Sequence, residues 1–145
     1  MADLAAPERL RRDEFITRQR NLILAGTRSD GTPHLTPAWY HWDGQRFYVS
    51  TTRDRVKYAI FRRDPRAQLA IDDPAGLRAV LIRAAVEIRE VTEAQLPFFV
   101  AIRQKYGLRP MDDGEHLDSL IAEGRVLFAI TPEGPPETWT SWGFS

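Results

Sequence analysis

The stretch STTRDRVKYA, residues 50–59, gathers Ser50, Thr51, Thr52, Arg55 and Lys57 where a strand-like run gives way to a helix-like one. Lys57 is set apart, because Lys105 is the other lysine of the chain and arginine carries positive charge elsewhere. A helix start offers free backbone N–H groups and the positive end of the helix dipole, which suits a phosphate. With Asp54 as N-cap, Arg55 falls at the first helical position and Lys57 at the third. Arginine can grip a phosphate with two parallel hydrogen bonds, and lysine adds a compact charge. Together with the three hydroxyls this makes a phosphate cradle that needs no glycine-rich loop. On spacing alone, a solvated surface helix with ordinary charges is an equal reading.

Other chemistries find less support. With no cysteine, disulfides, thiolate catalysis and cysteine-ligated metal are excluded. His34, His41 and His116 show no metal spacing, and the serines lie in no nucleophile-elbow pattern. Asp72-Asp73 and Asp112-Asp113 read as turn and helix-start residues. Lys+Arg and Asp+Glu are 20 each, which argues against a nucleic-acid or membrane-surface binder. With no apolar leader and no long apolar run, a soluble cytoplasmic protein is expected. Aromatic rings stack on flat ligands, but Trp39 and Trp42 fall on opposite faces of an ideal strand, so at most one faces such a ligand.

The elements that must position the cradle follow from periodicity. The 145 residues suit one domain. It would have a helical lead at 7–20, a barrel core at 21–90, helices at 92–123 and final strands at 125–143. In the lead, Leu10, Phe15 and Ile16 share a face. Turns at Asp30-Gly31 and Asp43-Gly44 predict a three-strand antiparallel meander through residue 52, with Pro33 and Pro37 marking its second strand as an edge. A helix from Asp54 stops before Asp64-Pro65. RAQLAID is a fourth strand and LRAVLIRAAVEIREV a fifth, buried on both faces in its middle. Thr92 and Gln95 form a capping box for a helix through Lys105, Asp112 begins another that ends at Gly124, and RVLFAIT is the sixth strand. The tail ETWTSWGFS can pair as a last strand. The class is mainly β with peripheral helices (α+β), a barrel-like antiparallel sheet.

The run SDGTPHLTPAWYHWDGQRFYVSTTRDRVKYAIFRRDPRAQLAIDD resembles the pyridoxamine-phosphate-oxidase-like flavin-binding split barrels, and most nearly their branch dependent on the deazaflavin coenzyme F420. The resemblance rests on Asp30-Gly31, PHLTPAWY, Asp43-Gly44, VSTT, Arg55-Val56-Lys57 and the run Arg62-Arg63-Asp64-Pro65-Arg66, within residues 20 to 90. It implies a six-stranded antiparallel split barrel that forms a homodimer, with the cofactor at the subunit interface. Thr36, Pro37, Ala38 and Trp39 would lie near the cofactor ring. Val49, Ser50 and Thr51 would contact its ring and ribityl chain, and Arg55 and Lys57 would hold its phosphate. Trp139 and Trp142 are candidates for contacts supplied by the partner subunit.

The function implied is an oxidoreductase that passes hydride between bound F420 and a small unsaturated or conjugated molecule, with no side chain required as acid or base. An FMN-dependent oxidase or reductase of the same fold is the alternative, and a non-catalytic flavin- or tetrapyrrole-binding module a third reading. Arg53, Arg62, Arg63 and Arg66 could serve the anionic tail that F420 carries beyond its phosphate, which favours the deazaflavin. Pyridoxamine-phosphate oxidation is not expected, since ETWTSWGFS holds no arginine-rich substrate motif.

Overall fold

The computed structural model describes residues 5–145, so the first four positions of the domain lie outside the described residues. Helix α1, Ala6–Arg18, carries Pro7 in its first turn and buries Arg12, Phe15 and Ile16. Leu10, expected on that buried face, is instead 70% exposed. The helix lies against the C-terminal tail, with Phe15 edge-on to Phe144 at 5.2 Å and the Arg11 Nη2 donating to the Phe144 carbonyl at 2.8 Å.

Strands β1, Leu22–Thr27, and β2, Pro33–Ala38, form the first hairpin. Its turn is held by the Asp30 carboxylate, which accepts from the Thr32 N–H at 3.0 Å, and by Gly31 at a φ of 87°. Among the described residues β2 has no neighbour on its other side, in keeping with its prolines. The expected meander then breaks. Two short segments, β3 (His41–Trp42) and β4 (Phe47–Thr52), pair with each other, and β2 pairs only with β1. The physical cause is Tyr40, whose buried side chain donates to the Ile16 carbonyl and whose N–H donates to the Tyr106 hydroxyl at 2.9 Å. Its backbone is thereby turned out of any ladder.

Helix α2, Val56–Arg63, follows; then come β5 (Arg66–Asp72), β6 (Ala79–Glu90), helix α3 (Leu96–Lys105), helix α4 (Asp113–Ala122), β7 (Arg125–Pro132) and β8 (Thr140–Trp142). The sheet order is β2-β1-β5-β6-β7-β4-β3, with β8 added on β6. The two ends of that order, β2 and β3, are joined by Trp39 and Tyr40 alone, so the sheet has to curl until its edges meet. The result is a curled antiparallel half-barrel of eight strands rather than six, with four α-helices around it, among the described residues.

Leu22, Leu24, Phe47, Val49, Ile82 and Phe128 fill its interior. A second cluster, with Tyr48, Leu96, Phe99, Leu120 and Leu127, lies between the sheet and helices α3 and α4. Strand β6 departs from expectation in the middle. Val80, Ile82, Ala84 and Val86 are buried, but Arg83, Ala85 and Glu87 are exposed, because nothing among the described residues covers that face. Thr92 also differs: its carbonyl accepts from Gln95 and Leu96 in a turn, and α3 begins only at Leu96. Asp112 does cap α4, accepting from the Gly114 and Glu115 N–H groups. No helix among the described residues is long and apolar enough to cross a membrane.

Lys105 provides a test of how this packing behaves. Its Nζ is buried without a hydrogen-bond partner and sits 3.4 Å from the centre of the Tyr40 ring. Burial pushes its pKa down to about 8. An unfolded lysine keeps its proton to about pH 10.4. Between those values the unfolded chain therefore binds more protons, and stability rises with pH. Partial exposure and the attraction of the Tyr40 face both reduce the cost of the charge. Lys105→Met is expected to stabilise the fold by about 1–2 kcal/mol at pH 7, with the gain shrinking as pH rises above 8. Urea unfolding of both proteins from pH 6 to 9 checks this.

Candidate functional site

The end of β4, the end of β2 and the start of α2 converge on one open groove of about 340 Å³. Pro37, Ala38 and Trp39 form one side, and Ser50, Thr51 and Thr52 the floor. Arg55 and Lys57 stand at the helix end. The helix starts slightly later than the sequence suggests. Arg55 is the N-cap and Lys57 the second helical residue, because the Asp54 carboxylate accepts the Thr52 hydroxyl instead of capping.

A third cation completes the groove. Arg125 opens β7 directly opposite Thr52 in the antiparallel register. Its Nε pairs with Glu123 at 2.8 Å and its Nη1 donates to the Ser50 hydroxyl at 3.3 Å, which fixes the guanidinium at the groove wall. Sequence reading missed Arg125, since only the β4–β7 register brings a residue 68 positions after Lys57 to its side.

The groove's charge is positive. Burial holds the Lys57 ammonium below the ordinary lysine pKa, and the neighbouring charges of Arg55 and Arg125 lower it further. Asp54 lies nearby, with its own pKa lowered chiefly by the Thr52 hydroxyl. An anion seated among the three cations would favour the protonated lysine, so binding takes up protons. We therefore expect affinity for a phosphate-bearing ligand to fall as pH rises through the depressed Lys57 pKa. In Lys57→Arg that alkaline loss should disappear, and affinity titrations from pH 7 to 10 measure the difference.

The remaining sequence candidates divide by the pleat. Leu35 and Pro37 point outward and Trp39 follows them, 42% exposed and stacked on Tyr106 at 4.2 Å. Thr36 and Val49 face the other way. Val49 is part of the barrel core, and the Thr36 hydroxyl is buried with no hydrogen-bond partner. Trp42 packs on Phe47 at 4.3 Å, which leaves Trp39 as the tryptophan of that pair at the groove. Trp139 and Trp142 do not line it. Trp139 is 5% exposed and edge-on to Trp42, while Trp142, half-exposed, pairs with Ala79 on β6. Of the outlying arginines, Arg53 pairs with Glu90, Arg63 donates to the Thr27 carbonyl and Arg66 pairs with Asp64 at 2.7 Å. Arg62 lies over the Tyr58 ring at 5.7 Å.

Among solved structures, a conserved hypothetical protein from Mycobacterium tuberculosis is similar at 27% identity and a TM-score of 0.79, covering 98% of this chain and 88% of that one. An F420 reductase shares 23% identity at a TM-score of 0.67, covering 84% of this chain and 93% of its own. A heme storage protein from Vibrio cholerae has the same fold at 16% identity and a TM-score of 0.74, covering 94% and 95% of the two chains. The last two likenesses are of fold alone. The family profile of pyridoxamine 5'-phosphate oxidase matches residues 11–134, which take in strands β1 to β7 and the groove, and the chain belongs to that family.

Proposed function

We propose that the groove holds the phosphate of a flavin-type cofactor and that the protein is an oxidoreductase using the deazaflavin F420 on a small unsaturated or conjugated substrate. The observation that carries this reading is the convergence of Arg55, Lys57 and Arg125 on the hydroxyl-bearing end of β4, beside the exposed ring of Trp39. The donor set fits the group. Guanidinium and ammonium groups with threonine and serine hydroxyls match a phosphate and the start of a ribityl chain, and Pro37, Ala38 and Trp39 offer a flat apolar edge for a ring.

When bound, the reduced cofactor would supply a hydride that, with one proton, saturates a substrate double bond while the cofactor loses two electrons. The chain's own part is to anchor the phosphate, set the ring against β2 and narrow the access of water. Pro37, Leu35, Trp39 and Val56 leave apolar surface beside the groove. A second copy of the chain is the covering that the reading requires, with the half-exposed Trp142 available to such a contact.

An FMN-dependent enzyme is the second reading, and one observation favours it. Arg53, Arg63 and Arg66, which would meet the anionic tail of F420, are engaged within the chain. Titrating the purified protein with F420 and with FMN, following tryptophan fluorescence, separates the two. Stronger quenching by F420 supports the first reading and stronger quenching by FMN the second. Quenching by neither sinks both. Steady turnover with an added electron donor and acceptor then separates an enzyme from a carrier.

A further inference from the structure

Next to the groove lies a smaller chamber, about 220 Å³, between helices α3 and α4 and the outer side of β4 and β7. Trp39, Ser50 and Arg125 belong to the walls of both spaces, so the two are neighbours. The chamber is somewhat larger than the ~150 Å³ that accommodates a benzene ring. Its apolar wall comes from Phe99, Ile102, Leu108 and Leu120.

Two polar groups in its wall keep donor capacity that the fold does not use. His116 is 4% exposed, yet among the described residues its imidazole has no hydrogen-bond partner; it meets the Phe99 ring edge-on at 6.5 Å. Arg103 donates through Nε and Nη2 to the Arg109 carbonyl at 3.1 and 2.6 Å, which leaves Nη1 without a protein acceptor among the described residues. The two lie close enough for the guanidinium charge to act on the imidazole. The acidic group in the wall, Glu123, is neutralised by Arg125 and also accepts from the Ser119 hydroxyl at 3.4 Å. Asp113 and Glu115 also act on the imidazole from outside the wall, while the charged groups of the wall itself are Arg103, Arg125 and Glu123.

We propose that this chamber binds a small ring-bearing carboxylate, its ring against Phe99 and Ile102 and its carboxylate between Arg103 and His116. Both groups have donor capacity unused by the protein and open to the chamber, and a carboxylate seated there would take a charge-assisted bond from Arg103 and a second bond from His116. Placed beside Trp39, the ligand would border the cofactor ring. Its role as the substrate rests on the cofactor reading above; its binding does not.

The test titrates the protein without cofactor against benzoate and the uncharged isostere benzamide, following tryptophan indole signals by NMR. Benzoate should bind about tenfold more tightly than benzamide, from one charge-assisted contact. In Arg103→Gln that advantage should vanish while FMN affinity stays unchanged, because Arg103 is absent from the groove. Equal affinity for the two probes, or an undiminished benzoate preference in Arg103→Gln, overturns the proposal. The wild-type contrast decides it alone if the variant does not fold. Failure of both FMN and F420 to bind removes only the substrate role and leaves the chamber result standing.

Discussion

Replacing Arg55 and Lys57 together by alanine is expected to weaken binding of FMN or F420 by about a hundredfold, from two charge-assisted phosphate contacts of ~1.5 kcal/mol or more each. The fold should be indifferent to the change. Arg55 is exposed and Lys57 lies at the helix start, its ammonium with no ion-pair partner among the described residues. Removing two of three clustered cations even relieves some repulsion around Arg125. A thermal transition within a degree or two of the parent, with affinity lost, is the predicted combination. Arg125→Ala should produce a smaller loss and also free Glu123, whose carboxyl is held below the usual range first by its hydrogen bond from Arg125. Unchanged affinity in the double variant would remove the cradle from the account.

The second large effect falls on stability. Trp139→Ala should cost about 3–5 kcal/mol, the usual range for truncating a buried large aromatic. For a chain of this size that lowers the melting temperature by roughly 10–15 °C. The ring contacts Trp42 at 5.9 Å, receives the Arg12 guanidinium at 5.4 Å and donates its indole N–H to the Gly134 carbonyl at 3.2 Å. Its loss leaves Arg12 buried without that face, and the Arg12 Nε already lacks a hydrogen-bond partner. Trp142→Ala, at a half-exposed position on β8, should change stability by less than about 1 kcal/mol. Calorimetry of the two variants side by side tests this. A small loss at Trp139 would mean that the tail does not seal the barrel as the contacts indicate.

The two tryptophans also show where reading by sequence stops. Both stand in one aromatic tail and have the same chemistry, and nothing in ETWTSWGFS distinguishes a core residue from a surface one. The difference arises because a short helical turn, Pro136–Thr138, swings Trp139 under α1 before β8 joins β6. Thr36 and Val49 make a similar point. They neighbour groove residues in sequence, but the packed barrel takes Val49 into its core and buries the Thr36 hydroxyl.

Local signals determined a good deal. The Asp30-Gly31 and Asp43-Gly44 turns, the edge position of the proline-bearing strand, the stop at Asp64-Pro65, the Asp112 cap and the Arg55–Lys57 pair each depend on contacts within a few residues. The sequence states such contacts directly, because dihedral preferences and capping groups act at that range. Tertiary structure alone decided the rest. The chain breaks at Tyr40 because of partners in α1 and at the end of α3. Arg125 reaches the groove because β7 pairs with β4. The chamber with Arg103 and His116 exists because two helices lean on that pair of strands. Each depends on groups dozens of residues apart meeting in space, and periodicity carries no record of which distant partner a strand will choose.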